Sequence, residues 1–391
     1  MAKDKITAES DINEKLSWLS SRYKTNLEIE YLDTGSIILN KLFGGGLPMT
    51  KNIQIYSESG YGKSTITISM CKALCKQGHR VLYIDGEGSV NENVLRTMGI
   101  LTSDENNLLY DAETNPDGPF LFVQISYFED IEEILETLIP KYNNKGVAID
   151  SDFRLVVIDS VAALAPKEYR GDSGEKLSVT SNKPGIVAKA LAAFLRKFNG
   201  YKTAYNMSFL YINQTRENLS MSFASKYEDS IPGGKAMIYY TDVLIKLTSR
   251  GLYKKKVTTG AGEEQEIPTE REIGVTCKKN KITDGQVTLP LQVVFGRGIS
   301  NIAAMPYVLR RKIITDNDGN RVYMVEGQGV SLTLNIITKD EETGEDTFKS
   351  IKCKGMPGLK ENIRKYYGDI LRLITEDDYR ALEEDEDYGE L

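Results

Sequence analysis

Histidine is nearly missing from this sequence: one residue, His79, stands in the turn-like stretch QGHR. That argues against triad chemistry through histidine and against a His-ligated metal cluster. Cysteine is scarce as well. Cys71, Cys75, Cys277 and Cys353 form no CxxC pair and read as buried thiols of a reducing compartment. Cys71 and Cys75 stand four residues apart, on one face of a helix. No apolar run approaches the roughly 18 residues that cross a bilayer. The N-terminus MAKDKITAES has no signal-peptide core. The expectation is a cytoplasmic protein without a membrane partner.

What is present is charge, and it is segregated. The formal net charge is −7, and residues 376–391 hold nine acids against one base, Arg380. That tail contributes −8 and the remaining body about +1, so the acidic total leaves a nucleic-acid partner open. The tail is expected to be disordered.

Residues 11–23 read as a short N-terminal helix with Leu16, Trp18 and Leu19 as its apolar positions. A turn-rich segment follows at 33–49. Short apolar β-runs then alternate with helical stretches: NIQIY (52–56), VLYI (81–84), FLFVQI (120–125), LVVID (155–159) and FLYIN (209–213), with helices near 63–77, 129–139 and 184–199. This alternation predicts an α/β fold with a mostly parallel sheet flanked by helices. From about 236 to 296 the β-runs crowd together as hairpins added to the sheet. The predicted organisation is an N-terminal helical segment (1–30), an α/β core (31–300), a small C-terminal α/β domain (301–375) and the acidic tail (376–391).

Between the first β-run and its helix lies SESGYGKST: Ser57, Glu58, Ser59, Gly60, Tyr61, Gly62, Lys63, Ser64 and Thr65. Gly60 and Gly62 let the backbone turn tightly, so that N–H groups and a helix N-terminus form an anion cradle. Lys63 can reach the β- and γ-phosphates of ATP, and the Ser64 hydroxyl can bind Mg²⁺. Ser57 stands where this pattern has glycine. A P-loop needs a carboxylate on a neighbouring strand tip, and RLVVIDS offers Asp159; its plainer alternative is a helix N-cap. VLYIDGEG ends a further strand in Glu87, placed to activate a water, with Asp85 as a neighbouring candidate and a solvated turn acid as the plain reading.

At this point the sequence resembles the bacterial RecA recombinases, including their phage-encoded relatives. The resemblance is an ordered series: TGSIILNKLFGGGLPM (34–49), IYSESGYGKST (55–65), YIDGEG (83–88), VVIDSVAALAPK (156–167), YINQTR (211–216), GGKAMIYYTDVLIKL (233–247), KKNKI (278–282) and GRGIS (296–300). It implies a RecA-like P-loop ATPase core. Lys63 and Ser64 would bind phosphates and magnesium, Asp159 would be the outer magnesium ligand, Glu87 would activate the water and Gln214 would sense the γ-phosphate. Lys279 and Lys281 would reach a neighbouring subunit's ATP; read without the resemblance, KKNK is a solvated basic run. Tyr239 falls where the family packs an aromatic across the subunit interface, or else is a core tyrosine. Asn91 and Val94 stand where the family contacts adenine, and Asn91 joins the nucleotide-binding set.

The resemblance also implies two DNA-binding loops. One carries Lys167, Arg170, Lys176 and Lys183, with Lys189 on the helix behind it. The other carries Arg216, Phe223 and Lys226 and ends at Gly233 and Gly234; Met221 and Phe223 either stack on nucleotides or pack within the subunit. The implied activity is a DNA-dependent ATPase that forms a helical filament on single-stranded DNA and pairs it with homologous duplex. The alternatives are a recombination mediator or non-catalytic filament protein, and a hexameric helicase. The acidic tail either competes with DNA for basic surface or keeps the chain soluble.

Overall fold

The computed structural model describes residues 28–139, 152–170, 185–215, 234–258, 264–283, 287–339 and 344–374. The chain divides into two compact units, residues 1–30 and 31–391, and the second carries everything below. The helix expected at 11–23 and the acidic tail lie outside the described residues.

A short antiparallel pair, β1 (Tyr31–Leu32) and β2 (Leu47–Pro48), brackets the helix Ile37–Phe43. The sequence reads as turns here because of its glycines, yet the helix has both stops. Ser36 Oγ accepts the Leu39 N–H, and Gly44 closes the last turn in the left-handed region at φ 88°.

The main sheet holds β3 (Asn52–Ser57), β4 (Arg80–Asp85), β5 (Phe120–Gln124), β6 (Phe153–Asp159), β7 (Ser208–Gln214), β8 (Val243–Thr258), β9 (Glu264–Asn280), β10 (Thr288–Val294) and β11 (Gly298–Ser300). Their spatial order is β11-β10-β9-β8-β3-β7-β6-β4-β5. From β8 to β5 every neighbour is parallel; β9, β10 and β11 are added antiparallel. The mostly parallel α/β architecture expected from the sequence is therefore the observed one.

Alternation along each strand splits the core in two. Val81, Tyr83, Leu155, Val157, Leu210 and Ile212 face one apolar cluster, under the helices Ile37–Phe43 and Lys63–Lys76. Leu82, Ile84, Val156, Ile158, Phe209 and Tyr211 face the other, under the helices Phe128–Leu138 and Ile186–Ala204. Strands covered on both faces are apolar throughout, which is why these β-runs stand out in the sequence.

Beyond the sheet lie the hairpin β12 (Ile313–Thr315) and β13 (Arg321–Tyr323) and a three-stranded sheet of β14 (Val325–Gln328), β15 (Ser331–Lys339) and β16 (Asp346–Lys354). The helices Gly355–Lys365 and Tyr367–Leu373 pack on it, and its apolar side chains continue the first cluster. Ion pairs Arg364–Glu270 (2.8 Å) and Lys360–Glu272 (3.3 Å) join this region to β9.

All four cysteines are free and buried. Burial raises each thiol, Cys75 to about 12, so the thiolate is disfavoured. We expect a maleimide at neutral pH to leave the folded protein unlabelled and to label all four after unfolding, read by intact mass.

Candidate functional site

The parallel register brings the chemistry together. Ser57 at the end of β3 pairs with Gln214 at the end of β7, and Asp85 on β4 pairs with Asp159 on β6. β3, β7, β6 and β4 are consecutive in the sheet, so their carboxyl ends form one crevice.

From β3 the chain turns through Gly60 (φ +80°) and Gly62 (φ +77°) into the helix Lys63–Lys76. Both turns are left-handed, hence the glycines. Ser57 is not among the residues at positive φ, so the serine in place of glycine needs no unusual backbone. Its hydroxyl donates to the Glu58 carbonyl (2.8 Å). Lys63 folds into the loop, with Nζ donating to the carbonyls of Ser57 (3.2 Å) and Glu58 (2.8 Å) and to Ser57 Oγ (3.3 Å). Lys63 is only 7% exposed, and burial lowers its pKa against the opposing pull of Asp159 and Glu87.

Asp159 is buried, and burial raises its carboxyl while bonds from Ser64 and Tyr83 act the other way. Tyr83 Oη donates to it at 2.6 Å. The N-cap reading fails: the short 3₁₀ turn that follows starts after Ser160 and has no side-chain cap. Ser64 and Asp159 thus bring a hydroxyl and a carboxylate into contact at the helix start, a pair of hard oxygen donors suited to Mg²⁺. Among the described residues there is no cluster of three or more His, Cys, Asp or Glu that could hold a metal without such help.

The two acids after β4 take different roles. Asp85 is buried, and its carboxylate accepts the N–H groups of Glu87 (3.0 Å), Gly88 (2.9 Å) and Val90 (2.9 Å). It shapes the loop. Glu87 is exposed in the crevice, where Oε1 accepts from Ser160 Oγ and from Gln214 Nε2 (2.8 Å). The water-activating candidate and the sensing candidate are therefore in contact. Thr215 N–H donates to the Ser57 carbonyl (3.1 Å), so the chain that leaves β7 is tied to the phosphate loop.

Asn91 lies nearby, but its side chain caps the helix Glu92–Thr97 by accepting the Val94 N–H (3.0 Å). Arg271 was not foreseen. From β9 it donates to the Gly60 carbonyl (2.8 Å) and lies 5.7 Å from the centre of the Tyr61 ring, bracing the loop from outside. Nothing local marks it, since Arg271 and Gly60 are 211 residues apart.

Lys279 and Lys281 lie at the opposite end of the sheet. Lys279 pairs with Leu244 at the start of β8, the Lys281 N–H donates to the Asp242 carbonyl (3.1 Å), and Asp242 donates its own N–H to the Asn52 carbonyl at the start of β3 (2.7 Å). Five residues of strand separate Asn52 from Ser57, about 16 Å at ~3.3 Å per residue. Neither lysine reaches its own chain's phosphate loop. Lys279 Nζ caps the helix Gly234–Tyr240 through the carbonyls of Ile238 (2.6 Å) and Thr241 (2.8 Å). Lys281 Nζ pairs with Asp242 (3.0 Å). Both line a cleft of about 780 Å³ with Tyr239, which is 74% exposed and so not a core tyrosine.

Of the DNA-binding candidates, Lys167 pairs with Asp130 at 2.5 Å, both side chains about a third exposed to solvent. Lys189 is exposed on the helix Ile186–Ala204. Arg170 ends the 3₁₀ turn Lys167–Arg170, and Gly234 opens its helix. Lys176, Lys183, Arg216, Met221, Phe223, Lys226 and Gly233 lie outside the described residues.

The RecA N-terminal domain family matches residues 12–300. The chain is 30% identical over 281 residues to Protein RecA of Fusobacterium nucleatum, covering 71% of this chain and 64% of that one. It is 30% identical over 275 residues to Protein RecA of Delftia acidovorans, covering 70% and 64%. With Protein RecA of Mycoplasma mobile it shares 28% over 346 residues, covering 87% and 91%. It thus spans just under two thirds of the length of the first two.

Proposed function

The chain belongs to the RecA recombinase family, and we propose that it is an ATP-dependent DNA recombinase, polymerising on single-stranded DNA to pair it with homologous duplex. The observation that carries this reading is the division of the site. The phosphate loop, Glu87 and Gln214 meet at one end of the sheet, while Lys279 and Lys281 stand at the other beside an exposed tyrosine. Such a molecule completes its site only head to tail with a second copy, a heterologous contact that builds a ring or an open helix rather than an isologous pair.

In this reading the loop from Ser57 to Thr65 cradles the triphosphate, and Lys63 exchanges its carbonyl partners for phosphate oxygens. Ser64 and Asp159 would hold Mg²⁺, which would neutralise phosphate charge. Glu87 orients and deprotonates the attacking water. Gln214, freed from Glu87 by a γ-phosphate, passes that state to the loop after Thr215. Lys167, Arg170, Lys176, Lys183, Lys189, Arg216 and Lys226, with Phe223, bind the nucleic acid. Residues 1–30 serve oligomerisation, 31–300 form the ATPase core and 301–375 an accessory domain.

Mixing tests the division. Lys63→Ala subunits and Lys279→Ala/Lys281→Ala subunits should each be inactive alone. In an equal mixture about one interface in four joins an intact loop to intact lysines, so turnover should recover to about a quarter of wild type. No recovery at any ratio contradicts the shared site. Electron microscopy with a nonhydrolysable ATP analogue should show helical filaments on single-stranded DNA; closed rings, or a monomer that ignores DNA, would overturn the reading.

A further inference from the structure

Three elements converge on one carboxylate at the far end of the sheet. Asp242, between the helix Gly234–Tyr240 and β8, accepts Lys202 Nζ (2.9 Å) and the Asn52 N–H (2.9 Å) on Oδ2, and Lys281 Nζ (3.0 Å) on Oδ1. Lys202 comes from the last turn of the helix Ile186–Ala204. The three side chains differ in access. Those of Asp242 and Lys202 are 12% and 13% exposed, whereas that of Lys281 is 49% exposed. All three line the cleft with Lys279 and Tyr239, and Lys281 is the most open of them. Burial works against the Asp242 charge, but the bonds from Lys202, Asn52 and Lys281 outweigh it and the pKa falls.

A buried carboxylate that loses its only cation is strongly penalised. With Lys202 and the Asn52 N–H in place, Asp242 stays satisfied when Lys281 leaves. We infer that Lys202 and Asp242 are positioning residues for Lys281: Asp242 aims it into the cleft, and Lys202, as the counter-ion that stays, lets Lys281 transfer to an anionic group on a second copy of this chain. This rests on the reading that Lys281 acts on a neighbour's triphosphate. The transfer is a change of ion-pair partner, with no bond made or broken.

The inference predicts antagonism rather than addition. In Lys202→Met, Lys281 is the one ion-pair partner left to Asp242 among the described residues, and Asp242 grips it. In Lys202→Met/Asp242→Asn the site is neutral, the amide oxygen can still accept the Asn52 N–H, and Lys281 is released. Two readouts on the full chain separate the claims. The first is acylation of Lys281 by an amine-selective acetylating ester in the free protein without nucleotide, mapped by peptide mass spectrometry. The second is single-stranded-DNA-stimulated phosphate release. In Lys202→Met both should fall, turnover by about tenfold. In the double variant Lys281 acylation should return to the wild-type rate or above, and turnover should recover severalfold over Lys202→Met. Lys202→Arg keeps the inner charge and should behave as wild type, which guards against a folding defect at this position. Unchanged Lys281 acylation in Lys202→Met, or a double variant as impaired as Lys202→Met, overturns the inference. If Lys281→Ala alone keeps wild-type turnover, the trans role of Lys281 fails, while the acylation pattern still judges the grip of Asp242.

Discussion

Lys63→Ala is expected to abolish ATP turnover, by about 10³-fold or more, with little loss of fold. The ammonium is buried, and its partners are loop carbonyls and a hydroxyl, so in the free protein it stands in for the contacts a phosphate would make. Desolvation already lowers its pKa, so an arriving phosphate relieves an under-neutralised cation. Removing it takes charge-assisted bonds of roughly 1.5–3 kcal/mol each away from carbonyls that water can then reach, and it also removes the desolvation penalty. The two effects oppose each other in stability and act together in catalysis. Phosphate release assays should find no turnover above background while the thermal midpoint moves by only a few degrees. Wild-type turnover in this variant would refute the site.

The features legible in the sequence were those fixed by neighbours along the chain. Apolar runs such as LVVID at 155–159 mark strands buried on both faces, and a strand tip followed by Asp159 or Glu87 places a carboxylate at the crevice whatever the rest of the fold does. The glycines of the phosphate loop are legible for the same reason, since their left-handed turns are local. Legibility failed where glycine obscured a helix, at Ile37–Phe43. It failed again where the partner is distant in sequence. Arg271 reaches Gly60, and Asp242 gathers Asn52 and Lys202, across separations that no pattern of periodicity records. The placement of Lys279 and Lys281 is intermediate. Their motif is local, but only the register of β9 on β8 puts them at the end of the sheet away from their own phosphate loop.

The second large effect is expected at Glu87. Glu87→Gln should slow hydrolysis by about 10²–10⁴-fold while leaving ATP binding and filament assembly intact. The amide keeps an oxygen that can accept from Ser160 and Gln214, so the contact between the two strand tips survives and only basicity is lost. Asp85 supplies the contrast. Its carboxylate holds three backbone N–H groups, so Asp85→Asn should loosen the loop and lower stability by about 1–3 kcal/mol, with turnover falling through displacement of Glu87. The two acids are therefore separable by pairing single-turnover hydrolysis with thermal melting. Glu87→Gln should change rate without midpoint, and Asp85→Asn both together. Normal hydrolysis in Glu87→Gln would move the base elsewhere, and a lowered midpoint there would make Glu87 a structural residue. Gln214→Ala completes the comparison: without its bond to Glu87 the carboxylate keeps Ser160 as partner, so DNA-free hydrolysis should persist, while the sensing role proposed for Gln214 predicts that stimulation by single-stranded DNA is lost.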